Sequence, residues 1–291
     1  MMNFKNKIKS KSFQLVCSLL VVITIGAIAL SCNPDETQDV TNFNNLTMQD
    51  EFNVDGAPNN AMWTYNIGTG DNGWGNGELQ YYTDRPENVV VEDGMLKITA
   101  IQEDFEGSGY TSARILTKGL FEQQYGRFEA RMKLPFGKGM WPAFWLLGAN
   151  IQEGPEDPDN PATVVWPLCG EIDIMENGGS KPTIISGAVH GPGYSGGNAI
   201  SKEYAFENSR VDEFHIYGIE WGPNYINYYV DDVLYNQIKP DDVTGDWVFN
   251  NGPFFIIINL AVGGAFDGNP NANTVFPQEM LVDYVRVYSA N

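Results

Sequence analysis

The chain has 291 residues, 43% hydrophobic and 13% aromatic, with a formal charge of −20. That length and apolar content suit a single all-β domain of ordinary size, and so acidic a surface repels phosphate backbones and argues against nucleic acid as a partner. It also disfavours strongly anionic polysaccharides, whereas a neutral polymer fits.

Residues 1–31 read as a secretory signal outside the fold. Lys5, Lys7, Lys9 and Lys11 give a basic start, Phe13 to Leu30 form a mostly apolar stretch, and Ser31 precedes Cys32; basic, apolar and small segments in that order mark export. Ala29-Leu30-Ser31-Cys32 resembles a bacterial lipoprotein processing site, which implies an acylated Cys32 as the mature N-terminus. The protein is then tethered to the membrane at the cell envelope, on the outer membrane, facing either inward or the cell surface. An uncleaved anchor helix is the alternative, since the stretch is nearly long enough to span a bilayer. Both readings place the domain outside the cytoplasm. Cleavage removes four lysines and no acid, leaving −24. With Cys17 gone and Cys32 lipidated, Cys169 has no disulfide partner and reads as a small buried hydrophobe rather than a nucleophile.

Residues 32–45 are polar and acidic and read as a flexible tether, with the domain at 46–291. From there strand signals dominate. Asn88 to Ala100 is two short strands around Asp93-Gly94, a strong hairpin cue. In Gly126 to Leu134, Phe128, Ala130, Met132 and Leu134 alternate with charged residues, the period of a half-buried strand. Ile151 to Val165 is an acidic, Pro-rich surface loop. Phe214 to Trp221, Tyr225 to Val230 and Val282 to Tyr288 also read as strands, with Asp231-Asp232 a turn. Phe254 to Val262 is a continuous apolar run, fit for a strand buried on both faces. The pattern predicts an antiparallel β-sandwich, monomeric.

The run Glu171-Ile172-Asp173-Ile174-Met175-Glu176 carries the chemistry. On a strand Glu171 and Asp173 share a face, while Glu176, five residues from Glu171, falls on the other. One extra residue at Met175 or its neighbour, a β-bulge, restores the parity. Three acids on one face repel, which raises at least one pKa. Retaining glycosidases use such a pair as nucleophile and acid/base, and a middle acid can share a proton with the nucleophile. A solvent-facing acidic strand or a Ca²⁺ cluster are the bland alternatives.

At these residues the chain resembles glycoside hydrolase family 16, in its laminarinase-like, bulge-containing branch. Trp74-Gly-Asn-Gly-Glu-Leu-Gln80, Ser112-Ala-Arg-Ile115, Tyr125 to Arg131, Gly139-Met-Trp-Pro-Ala-Phe-Trp145, Phe214-His-Ile-Tyr217 and Asn259 to Gly264 also look like its segments, so the resemblance spans about 46–289. It implies a concanavalin-like jelly-roll sandwich of two curved antiparallel sheets with a concave substrate cleft. It also implies retaining endo-hydrolysis of β-1,3-glucan or mixed β-1,3/1,4-glucan, with no cofactor for catalysis. By position Glu171 is the nucleophile, Asp173 the assisting acid and Glu176 the general acid/base. Agarases and carrageenases share the bulged form, so a galactan such as agarose is an alternative substrate, and a non-catalytic glycan-binding module is a second alternative.

Sugar rings stack on aromatics and their hydroxyls need polar partners. Trp141 and Trp145 share parity and are read as lining the cleft, with Trp166 beside the acidic strand. Asn76 and Arg114 are candidate hydroxyl binders. The resemblance puts His190 near the leaving group, and a structural histidine is the alternative. His215 has apolar neighbours and reads as core. The resemblance further implies a structural Ca²⁺ at Glu51, the Gly94 carbonyl and Asp283, whose oxygen ligands suit that ion; a site without an ion is the other reading. Gly193-Tyr-Ser-Gly-Gly197 matches a serine-hydrolase string, but that string needs a following helix, and it reads here as a flexible loop near the cleft.

Overall fold

The computed structural model describes residues 42–152 and 164–291. The expected signal at 1–31, Cys32, residues 33–41 of the tether and the centre of the acidic loop (153–163) lie outside the described residues. In chain order the strands are β1 (Phe43–Asp50), β2 (Thr64–Tyr65), β3 (Gln80–Tyr82), β4 (Val89–Glu92), β5 (Met95–Ala100), β6 (Tyr110–Ser112), β7 (Arg114–Leu116), β8 (Gly126–Lys133) and β9 (Met140–Gly148). They continue as β10 (Glu171–Glu176), β11 (Ile184–His190), β12 (Ile200–Ala205), β13 (His215–Gly222), β14 (Tyr225–Val230), β15 (Val233–Ile238), β16 (Phe254–Val262) and β17 (Gln278–Ala290). Among the described residues no helical segment exceeds five residues.

Two antiparallel sheets pack as a jelly-roll sandwich. One runs β15-β14-β13-β8-β17-β5-β4, with β1 also paired to β17; the other runs β12-β11-β10-β9-β16-β7-β2. A separate short pair, β3 and β6, is parallel. The order places β10 inside the second sheet, between β9 and β11, so the acidic strand is held on both edges.

The alternation in β8 sets one row against the core: Phe128, Ala130 and Met132 are fully buried. Its other row is charged, and Glu129 is nonetheless buried because Arg127 closes over it at 2.8 Å while also reaching Glu220 at 3.5 Å and Asp232 at 2.5 Å. The β4–β5 hairpin turns on Asp93 and Gly94, both at positive φ (57° and 74°), the conformation that matches a two-residue turn to the strand twist.

Every residue of β16 is buried, as its unbroken apolar run predicts. Ile256, Ile258, Leu260 and Val262 enter the main core between the sheets; Phe255 and Ile257 face the other way, into a second cluster with Leu116, Leu147 and Cys169. Each such side chain contributes roughly 2 kcal/mol by leaving water. Cys169 is 1% exposed and burial pushes its thiol up to about 12, so it packs as a hydrophobe.

β1 begins at Phe43, three residues before the expected domain start. Its backbone pairs with the C-terminal strand, Phe43 to Ala290 and Asn45 to Ser289, so a distant partner orders residues whose polar side chains read locally as tether.

Candidate active site

The register of β10 contains the one-residue excess that the acidic run requires. Against β9, Asp173 pairs with Trp145 and Met175 with Phe144, two steps opposite one. Against β11, Asp173 pairs with Ala188 and Glu176 with Ser186, three steps opposite two. The bulge therefore lies at Ile174–Met175. Both of those residues, and Ile172, are buried in the main core, which leaves Glu171, Asp173 and Glu176 to project from the opposite, concave face.

Each acid has its own neighbour there. Trp166 donates its indole N–H to Glu171 Oε2 at 2.9 Å. Trp141 donates to Glu176 Oε1 at 2.9 Å. His190, directly across from Glu171 in the β10–β11 register, brings Nε2 to 3.0 Å from Asp173 Oδ2 and 3.7 Å from Glu171 Oε1. The His190 Nδ1 accepts the Gly196 backbone N–H at 3.0 Å, which fixes the ring and leaves Nε2 to carry its proton toward the acids.

All three carboxyls are pushed up. Burial is the first cause for each, and neighbouring charge adds to it for Glu171 and Glu176. The Trp166 and Trp141 N–H groups oppose the rise at Glu171 and Glu176, and a hydrogen bond with Glu171 opposes it at Asp173. Three acids on one small face thus hold shared protons at neutral pH. That arrangement can supply an ionised carboxylate and a protonated carboxyl side by side.

The flank formed by β9, β16 and β7 carries the expected aromatics. Trp145 Nε1 donates to Asn259 Oδ1 at 2.8 Å. The Arg114 guanidinium lies between two indoles, 4.8 Å from the centroids of both Trp74 and Trp145. Asn76 sits on the rim and donates to Glu78 at 3.2 Å. Glu78 also accepts from Gln80 at 2.7 Å and from the Tyr82 hydroxyl at 3.1 Å, and Asn259 donates to that hydroxyl at 3.1 Å. Trp141 stacks on Phe266, with centroids 5.1 Å apart and planes 15° apart.

Asn259, Phe266, Glu78 and Trp74 were not singled out from the sequence as site residues. Asn259 left a signal, because it is the one polar residue in the apolar run of β16. Phe266 left none beyond its aromatic ring, since its pairing with Trp141 depends on a loop after β16.

The three positions expected for Ca²⁺ lie away from the acids, on the other sheet. Asp283 is on β17, Gly94 in the β4–β5 turn and Glu51 just after β1. Glu51 accepts from Arg286 at 2.8 and 2.9 Å, and Asp283 accepts from Arg131 at 2.7 Å. The donor set, two carboxylates and a carbonyl, fits the ion chemically, but each carboxylate already has a cationic partner. Ser195 precedes a single three-residue 3-10 turn rather than a helix. His215 is buried as expected, although its Nδ1 lies 2.7 Å from Asp231 and its Nε2 2.9 Å from Ser209, so it is a hydrogen-bonded core histidine rather than an apolar one.

The sequence model of the glycosyl hydrolases family 16 matches residues 76–286. The chain is 39% identical over 290 residues to a beta-glucanase of Rhodothermus marinus, covering 96% of each chain. Among solved structures, it is 45% identical to the laminarinase catalytic domain of Thermotoga maritima MSB8, covering 84% of this chain and 98% of that one with a TM-score of 0.76. It is 44% identical to the endo-beta-1,3-glucanase of Pyrococcus furiosus, with a TM-score of 0.78 and coverage of 87% and 97%. Some relatives are longer, and the chain spans 37% and 38% of two of them.

Proposed function

This chain belongs to glycosyl hydrolase family 16, and we propose that it is an endo-acting β-1,3-glucanase that cleaves with retention, using Glu171 as nucleophile and Glu176 as acid/base. The observation that supports a two-carboxyl mechanism is the bulge at Ile174–Met175, which puts both glutamates on one face with an indole N–H on each; which of them plays which role follows their order in the family's acidic run.

In the first step ionised Glu171 attacks the anomeric carbon, and Glu176 gives its proton to the departing glycosidic oxygen. Burial pushes both glutamates up to about 8, and on each an indole N–H and His190 oppose the rise; the cluster therefore holds both a protonated carboxyl for the acid role and an ionised one for attack near neutral pH. In the second step Glu176, now ionised, takes a proton from water, which attacks the glycosyl–Glu171 ester and restores both groups. Asp173 shares a proton with Glu171, so the pair never carries two full charges at close range. Trp145, Arg114 and Asn76 hold the sugar. All of this is done by side chains, and the hydrolysis needs no cofactor.

The substrate is β-1,3-glucan of the laminarin type, with mixed-linkage glucan within reach of the same acids. Glu171→Gln is expected to abolish hydrolysis of laminarin while the protein keeps its fold and its affinity for the polymer; full activity in that variant would overturn the roles. Digestion of laminarin, lichenan, agarose and carrageenan side by side fixes the linkage, with laminarin expected to be cleaved fastest. Export and lipidation at Cys32 belong to the same proposal, supported by the basic–apolar–small order of residues 1–32. Mass spectrometry of the mature protein is expected to find a diacyl or triacyl Cys32 at its N-terminus.

A further inference from the structure

The string Gly193-Tyr194-Ser195-Gly196-Gly197, which matches a serine-hydrolase pattern by sequence, has a different use in the fold. It lies in the connection between β11, which ends at His190, and β12. Gly191 and Tyr194 exchange two backbone hydrogen bonds, both 3.0 Å, across a tight turn. The chain comes back on itself there, and the Gly196 N–H reaches His190 Nδ1 at 3.0 Å. A ring nitrogen that accepts from a fixed N–H leaves the proton of the neutral ring on the other nitrogen. That nitrogen is Nε2, 3.0 Å from Asp173 Oδ2 and 3.7 Å from Glu171 Oε1.

The groups that hold this turn come from a second connection, between β15 and β16. The Tyr194 ring is fully buried in the main core, and its hydroxyl donates to the Asp246 carbonyl at 2.8 Å. Thr244 donates to the Gly193 carbonyl at 3.1 Å. Gly245 lies so close to Pro192 that a methyl there would overlap the Pro192 carbonyl, and a methyl at Gly191 would overlap the Tyr194 ring. Glycines give a segment many backbone conformations, and here these contacts select one of them.

We propose that this string is a clamp that fixes the tautomer and orientation of His190, with Tyr194 as its anchor. Tyr194, Thr244 and Gly245 are positioning residues, acting on the acids through the Gly196 N–H and the His190 ring. The tautomer matters to the chemistry. With its proton on Nε2, the ring presents a donor to Asp173 and Glu171 and favours an ionised carboxylate. With the proton on Nδ1, it presents a lone pair to the same oxygens, which repels a carboxylate. Release of the ring therefore withdraws support from the charge Glu171 must carry, and the loss falls on kcat rather than on substrate affinity. That catalytic consequence rests on the glucanase reading, whereas the clamp itself does not.

The test reads the tautomer directly. The chain contains two histidines, His190 and His215, so proton–nitrogen correlation spectra of the imidazole rings resolve each one, with His190→Gln giving the assignment and His215 serving as internal reference. Tyr194→Phe/Thr244→Val removes both clamping hydroxyls and keeps the ring and the branched shape. Gly245→Ala forces the two connections apart. The melting temperature confirms folding of each. At mildly alkaline pH the parent is expected to carry its His190 proton on Nε2 alone. Both variants are expected to show a mixture of tautomers at His190 and an unchanged His215, with kcat on laminarin about tenfold lower and KM within about twofold of the parent. A proton on Nδ1 of His190 in the parent would overturn the clamp, whatever the variants do. So would a pure Nε2–H tautomer in both folded variants, even with a lower kcat, since that loss would come from general loosening. Mixed tautomers with an unchanged kcat would overturn its role in catalysis. A parent that leaves laminarin intact would sink the glucanase reading, and the spectra would still decide the clamp.

Discussion

Trp141 and Trp166 donate equivalent hydrogen bonds to the two ends of β10, and their removal is expected to move opposite limbs of the pH profile. Trp141→Phe keeps a ring to stack on Phe266 and deletes the N–H that reaches Glu176 Oε1 at 2.9 Å. That bond stabilises the ionised form of Glu176, so its loss raises the pKa of the acid. A hydrogen bond to a charged group contributes about 1.5–3 kcal/mol, and 1.36 kcal/mol corresponds to about one pH unit. Trp141 is half-buried rather than fully enclosed, which points to the lower end. The alkaline limb of kcat/KM is therefore expected about one unit higher than in the parent. Trp166→Phe acts on Glu171, which must be ionised to attack. Its pKa also rises, but here the acid limb moves up and the active range narrows. The shift is smaller, because Trp166 is 42% exposed. Initial rates on laminarin from acid to alkaline pH measure both. If Trp141→Phe moves the acid limb, or if neither limb moves, the roles assigned to Glu171 and Glu176 are wrong.

Three further outcomes are expected. Arg114→Ala removes a guanidinium stacked on two indoles, each contact contributing about 0.5–2 kcal/mol, and should raise KM for laminarin about tenfold; an unchanged KM would remove Arg114 from the substrate site. Gly148→Ala places a methyl on the Cys169 carbonyl oxygen, two residues before Glu171, and should lower both the melting temperature and kcat. A structural Ca²⁺ at Glu51, Asp283 and the Gly94 carbonyl would compete with Arg286 and Arg131 for the carboxylates; adding Ca²⁺ after chelation is expected to raise the melting temperature in the parent and not in Asp283→Ala. Equal melting temperatures with and without the ion in the parent would dismiss the site.

The parts of the fold legible in the sequence are those set by local periodicity. Strict alternation placed one row of β8 in the core, Asp93-Gly94 marked a hairpin, and the unbroken apolar run of β16 marked a strand covered on both faces. The acidic strand was legible for a related reason. Five steps between Glu171 and Glu176 is the wrong parity for a regular strand, so a shared face demanded a bulge, and the register contains one. What escaped depends on which strands become neighbours. Asn259 reaches Trp145 because β16 pairs with β9, and Phe266 covers Trp141 because the loop after β16 returns to the end of β10. Phe43 to Asn45 looked like tether because their order comes from β17, more than two hundred residues away.

The most direct measurement is to trap the covalent intermediate. A 2-deoxy-2-fluoro laminaribioside with a good leaving group should form an ester that turns over slowly enough to be digested and sequenced by mass spectrometry. The expected adduct is on Glu171, within the peptide that also contains Asp173 and Glu176. An adduct on Glu176 or Asp173, or first-formed product of α configuration from laminarin, would contradict the account.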